Sequence, residues 1–275
     1  MTFRSILPSP HLRPYLSQHL LLHFVFSAND PLPVKPYPAV PAQGLTFYLR
    51  GFLTAHHPGA GAGTRRPQAV VFGQHMSRLD LCLDQSEYLM LEVGFQPGVL
   101  AKFLRRPLGE FVDQNIDAEA VLGPEIRRLH EQMAHARSYA QLISLAEQYV
   151  WQRIQRLRLE LRPLDHVSRL MLNSAAPVPL ATWADRACLS ISQFERAFRQ
   201  QVGVSPKLFA RVVRFDYACR LKEVQPALDW LGVAVHTGYH DYQHLAKDFR
   251  QFAGTTPPEL LTESALAPEK WLGLV

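Results

Sequence analysis

Hydrophobic and polar positions divide this chain into two patterns. Over the first hundred residues, short apolar runs stand between Pro, Gly and Asn clusters, at 19–26, 45–50, 69–73, 78–83 and 88–95. Runs of that length and spacing predict the strands of an antiparallel sandwich or barrel. Between 123 and 161 turn residues thin out and apolar positions recur at Leu142, Leu145, Tyr149, Ile154 and Leu157. That stripe predicts one or two amphipathic helices, packed on the core or offered to a second copy of the chain. Pro163 breaks the pattern. From Asp165 onward every segment reads helical, with turns at 173–179, 188–190, 202–206, 236–241 and 253–258. The expectation is an α+β chain of two domains. Residues 1–162 form a β-rich sandwich or barrel-like domain with a helical appendage, and residues 163–275 form an all-α domain.

The helical half repeats itself. Phe194, Phe198, Gly203 and Pro206 step by four, five and three residues, and Leu245, Phe249, Gly254 and Pro257 step identically. In each copy two apolar residues one turn apart share a buried face, and a Gly closes the helix where a left-handed residue costs least. Upstream of each lies a short helical stretch with a small residue, Ala184 or Ala234, where a second helix can cross closely. Ser190 is placed to cap the first copy's second helix. Helix, tight turn and second helix with buried aromatics make a helix-turn-helix. Between the copies, Ser205 and Pro206 open a helix with apolar residues at Leu208, Val212, Phe215 and Cys219. Roughly seventeen residues at ~1.5 Å each make a rod of about 25 Å. Such a rod can hold two recognition helices roughly one DNA turn, about 34 Å, apart.

On the first recognition helix, the buried Phe194 and Phe198 leave Ser192, Gln193, Glu195, Arg196 and Arg199 outward. Arg196 suits a bidentate contact to guanine, and Glu195 accepts from cytosine or pairs with a neighbouring Arg. On the second, Gln243, His244 and Lys247 face outward, with Gln243 suited to adenine and Lys247 to guanine or phosphate. Arg199 and Arg250 lie further along and suit phosphate positioning.

Residues 177 to 263 resemble the double helix-turn-helix domain of AraC/XylS-type transcription regulators. The second copy carries the resemblance in Val233, Ala234, Gly238, Tyr239, Leu245, Phe249, Arg250, Gly254 and Pro257. The first carries it in Leu180, Ala184, Leu189, Ser190, Phe194, Arg196, Phe198, Gly203 and Pro206. Cys188 departs from it, standing where Gly or a small polar residue is frequent. The resemblance implies base contacts at Ser192, Arg196, Gln243, His244 and Lys247. It also implies an amino-terminal half that senses a small-molecule effector or dimerises. Residues 95–119, with their Pro-Gly step after a strand, resemble the amino-terminal module of a subgroup whose module has no assigned ligand. Promoter DNA is the expected partner, bound by a monomer or homodimer, with RNA polymerase a further one.

Composition adds limits. The 275 residues are 47% hydrophobic, as for a globular chain, and the net charge of +5 is a mildly basic balance that permits an acidic partner. Residues 177–263 hold ten Lys and Arg against nine Asp and Glu, a net of +1, so non-specific phosphate attraction is modest. Arg153, Arg156, Arg158 and Arg162 read as an exposed helix face. Cys82, Cys188 and Cys219 lack metal-ligand spacing and read as buried reduced thiols in a cytoplasmic protein. No leader and no membrane-spanning run is expected. His56, His57, His75 and Glu92 do not make a metal-site pattern, and Cys82 has no neighbour to activate it. No catalytic residue, metal or cofactor is expected. The alternatives are an adaptor whose helical units bind a protein, and a DNA-targeted enzyme working by alkyl transfer or through a metal.

Overall fold

The computed structural model describes every residue except 28–29, 31, 60–62, 175–176 and 275. Among these residues ten strands precede most of the helices: β1 (Thr2–Ile6), β2 (Leu16–Val25), β3 (Val34–Tyr37), β4 (Gly44–Arg50), β5 (Leu53–His56), β6 (Thr64–Arg65), β7 (Ala69–Phe72), β8 (Leu79–Leu83), β9 (Glu87–Phe95) and β10 (Asn115–Asp117). One sheet runs β1-β2-β9-β4-β7-β10 and the other β3-β8-β5-β6, with every pairing antiparallel. Helices α1 (Val99–Leu104), α2 (Ala118–Leu122), α3 (Glu125–Ala134) and α4 (Tyr139–Leu157) follow or interleave, with a 3-10 turn at Leu108–Phe111.

The larger sheet is covered on both faces. Alternate residues of its central strands, Leu45, Phe47, Val71, Leu91 and Val93, pack with Val99, Leu100, Phe103, Leu142 and Ala146 of the helices. Their neighbours Tyr48, Val70, Tyr88 and Met90 pack with Leu53, Leu79, Leu81 and Leu83 of the smaller sheet. Period-two alternation with both faces buried explains why β4, β7 and β9 read as nearly continuous apolar runs.

The remaining helices are α5 (Pro163–Leu172), α6 (Leu180–Arg186), α7 (Ile191–Val202), α8 (Pro206–Val224), α9 (Trp230–His236), α10 (Tyr242–Phe252), α11 (Pro257–Ser264) and α12 (Pro268–Trp271). Two clusters hold them. Leu164, Val167, Trp183, Phe194, Phe198, Phe209 and Val213 form one. Val212, Phe215, Val233, Leu245, Phe249 and Phe252 form the other. Helix α8 contributes to both and so ties the two units together. The protein therefore has the two-part α+β architecture expected, an antiparallel β-rich part and then a helical part.

Several expectations change in detail. The stripe on α4 is core: Leu142, Ala146, Val150 and Ile154 are buried, while Leu145, Tyr149 and Leu157 are half-buried. Helix α8 has 19 residues, and its buried line runs through Phe209, Val212, Val213, Phe215 and Ala218, with Leu208 and Cys219 half-buried. The arginine cluster is not a uniformly exposed face. The Arg153 guanidinium sits 5.1 Å from the Phe103 ring centroid, and its Nη1 lies 3.4 Å from Glu125. The cysteines are not all buried either: Cys188 is exposed, and Cys82 and Cys219 are half-buried. Gly59 to Thr64, a Gly- and Ala-rich run that reads as a surface loop, ends in Thr64 of β6, and its residues 60–62 lie outside the described ones.

Candidate nucleic-acid interface

The first helix-turn-helix is α6 and α7. Ser190 caps α7: its hydroxyl accepts from the Gln193 amide, and the Gln193 side chain accepts from the Ser190 amide, so two orphan donors of the helix start are satisfied. Phe194 and Phe198 are fully buried, with Phe198 edge-on to Phe209 of α8 at 5.5 Å. Fixing those two side chains sends Ser192, Gln193, Glu195, Arg196 and Arg199 outward, and all five are exposed. The Gln193 amide oxygen is occupied by capping, which leaves its NH₂ group for other partners. Glu195 forms no ion pair with Arg196 or Arg199 among the described residues.

The second unit is α9 and α10. Asp229 caps α9 through the Gly232 amide, and Asp241 caps α10 through the His244 amide at 2.8 Å. Leu245, Phe249 and Phe252 are buried, with Phe249 packed edge-on to Phe215 and Trp230. Gln243, His244, Lys247 and Arg250 are exposed. Between Lys247 and Phe249, Asp248 turns inward: it lies 2.5 Å from Arg211 of α8 and accepts from the Tyr239 hydroxyl at 3.1 Å.

The His244 backbone amide and the His240 imidazole hold the exposed Asp241 carboxyl down to about 2. It therefore carries a negative charge on the outward face at any ordinary pH. His240, Asp241 and His244 bring their ligating atoms within 4.8 Å of one another. The capping bond and the His244 Nδ1 contact at 2.9 Å engage Asp241 within the helix start itself.

The β-rich part reaches this surface. Pro107 and Gly109 line an open groove of about 580 Å³ with Ser192, Glu195, Arg196, Arg199 and Gln200. Arg105 and Arg106, exposed at the start of that loop, were not singled out from the sequence. Their signal is the "RRP" step itself, but only the fold brings residues 105–109 beside α7. Lys207 and Arg211 of α8 share a second groove with Glu195, again a neighbourhood set by packing.

Residues 183–263 match a family model described as a helix-turn-helix domain. The carboxyl-terminal part is an AraC-type helix-turn-helix domain. The AraC-type domain makes this chain a DNA-binding transcription regulator. Residues 4–117 match a second model, a domain of unknown function (DUF6597). No curated protein matches the chain. Among solved structures, an apo variant of ToxT from Vibrio cholerae aligns with 90% of this chain and 98% of its own, at 12% identity and a TM-score of 0.49. ToxT from Vibrio cholerae O395 aligns with 93% and 100%, at 10% identity and 0.47. Wild-type ToxT with a bound unsaturated fatty acid aligns with 89% and 95%, at 11% identity and 0.47. No helix among the described residues is long and apolar enough to cross a membrane.

Proposed function

We propose that the AraC-type domain, taken as residues 163–275, reads a promoter by inserting α7 and α10 into adjacent major grooves. In this reading Arg196, Ser192, Gln243, His244 and Lys247 contact base edges, with Gln193 and Glu195 beside them. Arg199 and Arg250 hold phosphates. The observation that carries it is the exposure of all nine side chains on two capped helices, tied by one 19-residue helix. That helix spans ~28 Å at ~1.5 Å per residue.

Residues 1–162 act as the sensing or dimerising part. Support for sensing comes from a cavity between the two sheets, lined by Leu22, Tyr37, Tyr48, Leu81, Met90 and other apolar groups together with Lys35, Arg66 and Glu92. Arg66 donates through Nη1 to the Tyr48 hydroxyl at 2.8 Å, while its Nε and Nη2 are buried with no hydrogen-bond partner among the described residues. Burial pushes the Glu92 carboxyl up to about 7 against the pull of Arg66 and Lys35. An effector with an apolar body and an anionic or hydrogen-bond-accepting head satisfies that guanidinium. The coarse reading is of a regulator rather than an enzyme.

Fluorescence anisotropy with the DNA upstream of its own gene, at two salt concentrations and against scrambled DNA, tests the DNA reading. Arg196→Ala and Lys247→Ala each relax one base position and cost about 1–3 kcal/mol of discrimination, whereas Arg250→Ala weakens all sequences alike. Wild-type binding by all three variants sinks the assigned face.

A further inference from the structure

The cavity between the two sheets is closed on one side by a segment from the other part of the molecule. After α11 the chain turns back to the β-rich part. Pro268, at the first turn of α12, lines the cavity beside the strands. Glu269 is buried and pairs with Lys35 of β3, itself a cavity residue. Leu272 and Leu274 pack on the cluster of Leu22, Tyr48, Leu81 and Tyr88 that surrounds the cavity. Residues 268–274 thus lie across the space between the sheets as a strap, following directly on the AraC-type domain.

The volume left beneath the strap is small, about 70 Å³. At ~30 Å³ per water that is room for roughly two water molecules, whereas pockets for organic ligands run to about 300–1,000 Å³. One wall must therefore move before such a ligand fits. The strand walls are held by ladder hydrogen bonds in both sheets. The strap is held by the Glu269–Lys35 pair, a few apolar contacts and a second, exposed pair, Lys270–Glu223 at 3.4 Å. An element with few buried contacts and no ladder is the low-stability end of a fold.

We propose that residues 268–274 are an internal competitor for the effector: the strap and an effector occupy the cavity mouth in turn, and effector entry expels the strap. This rests on the reading of the cavity as an effector site. Expulsion has a direct line to the DNA-binding part. The strap follows α11, whose Glu263 lies 2.5 Å from Arg78 of the β-rich part, and the amide of Ala39 donates to the carbonyl of Phe252 at the end of α10 at 2.9 Å. Freeing the strap removes one of the attachments of the second unit to the β-rich part.

The test uses anilinonaphthalene sulfonate, an apolar anion, as the probe and follows its fluorescence on the full-length protein. In Leu272→Asp/Leu274→Asp the strap no longer seats, and saturable probe affinity rises roughly tenfold or more, because the closed state no longer taxes binding. Glu269→Gln, which keeps the strap's shape but weakens the Lys35 pair, gives a smaller rise. Adding Arg66→Ala to the released variant cancels the gain, which separates cavity binding from general loosening. Thermal melts establish that each variant is folded. Equal probe affinity in the wild type and a folded released variant overturns the strap proposal and leaves the effector reading standing. No saturable binding to the released variant overturns both, and a gain that survives Arg66→Ala shows the probe elsewhere and overturns the strap proposal.

Discussion

The two helix-turn-helix units have the same sequence intervals, yet they are held in different ways. The first unit leans on the β-rich part. Helix α7 packs beside α1 and the 3-10 turn, and a Cβ built on Gly203 at its end falls 2.9 Å from the Leu108 carbonyl oxygen. The second unit is pinned from within. Asp248 of α10 gathers Arg211 and the Tyr239 hydroxyl, with the Arg214 guanidinium 4.4 Å from the Tyr239 ring centroid. The first unit has Ala197 at the matching position and no such link. The first unit therefore rests on the β-rich part without an internal pin, whereas the second has its own pin to α8 beside its attachments to the β-rich part through Ala39 and Arg78. A change in the β-rich part reaches α7 and α10 unequally.

Removing the internal pin has the largest expected effect. Asp248→Ala leaves Arg211 without its carboxylate and the Tyr239 hydroxyl without its acceptor, costing about 3 kcal/mol as for a broken buried pair, read by denaturant unfolding. The loss falls on α9 and α10, so hydrogen exchange accelerates there before it does in α7. A uniform acceleration over both units would show that α8 already couples them and would erase the distinction.

The next test separates the two helix ends. Gly203 and Gly254 both have positive φ, 96° and 66°. Gly203→Ala adds a methyl against rigid backbone, whereas at Gly254 the nearest atom is the Arg78 side chain at 3.8 Å. The first substitution is expected to cost about 2 kcal/mol or more and the second about 1 kcal/mol. Equal losses in paired thermal melts would mean that α7 does not press on the 3-10 turn.

The smallest effect lies in the turns. Gly238 and Cys188 occupy equivalent places, with φ of 75° and 55°. Cys188 has a Cβ in left-handed backbone where Gly pays no such strain, so Cys188→Gly is expected to stabilise the first unit by about 0.5–1 kcal/mol. A rise in melting temperature checks the sign.

The helical part was legible because its rules are local. Caps, buried aromatics one turn apart and closing glycines all act within a dozen residues, so Ser190, Phe194, Phe198 and Gly203 announce their roles in order. The β-rich part was legible in β2, β4, β7 and β9 of the doubly covered sheet and in β8 of the smaller one. Strands β1, β3, β5, β6 and β10 escaped because they are short or at edges, and β3 carries Pro36 in four residues. What spacing cannot encode is which distant segments meet. Arg153 looks like any surface arginine until Phe103 and Glu125 are folded against it. Residues 105–109 gain meaning only beside α7, and 268–274 only across the cavity. The inward Asp248 was likewise hidden, since a helix position between Lys247 and Arg250 reads as surface until Arg211 and Tyr239 are seen around it.

Cys188 also gives the molecule a chemical handle. It is the one exposed thiol of the three, and burial pushes the Cys82 and Cys219 thiols up, the latter strongly. A maleimide fluorophore therefore goes selectively to the turn three residues before α7. That places a spectroscopic reporter at the edge of the proposed DNA-binding surface without any engineered cysteine, and on that reading its emission follows operator occupancy in real time.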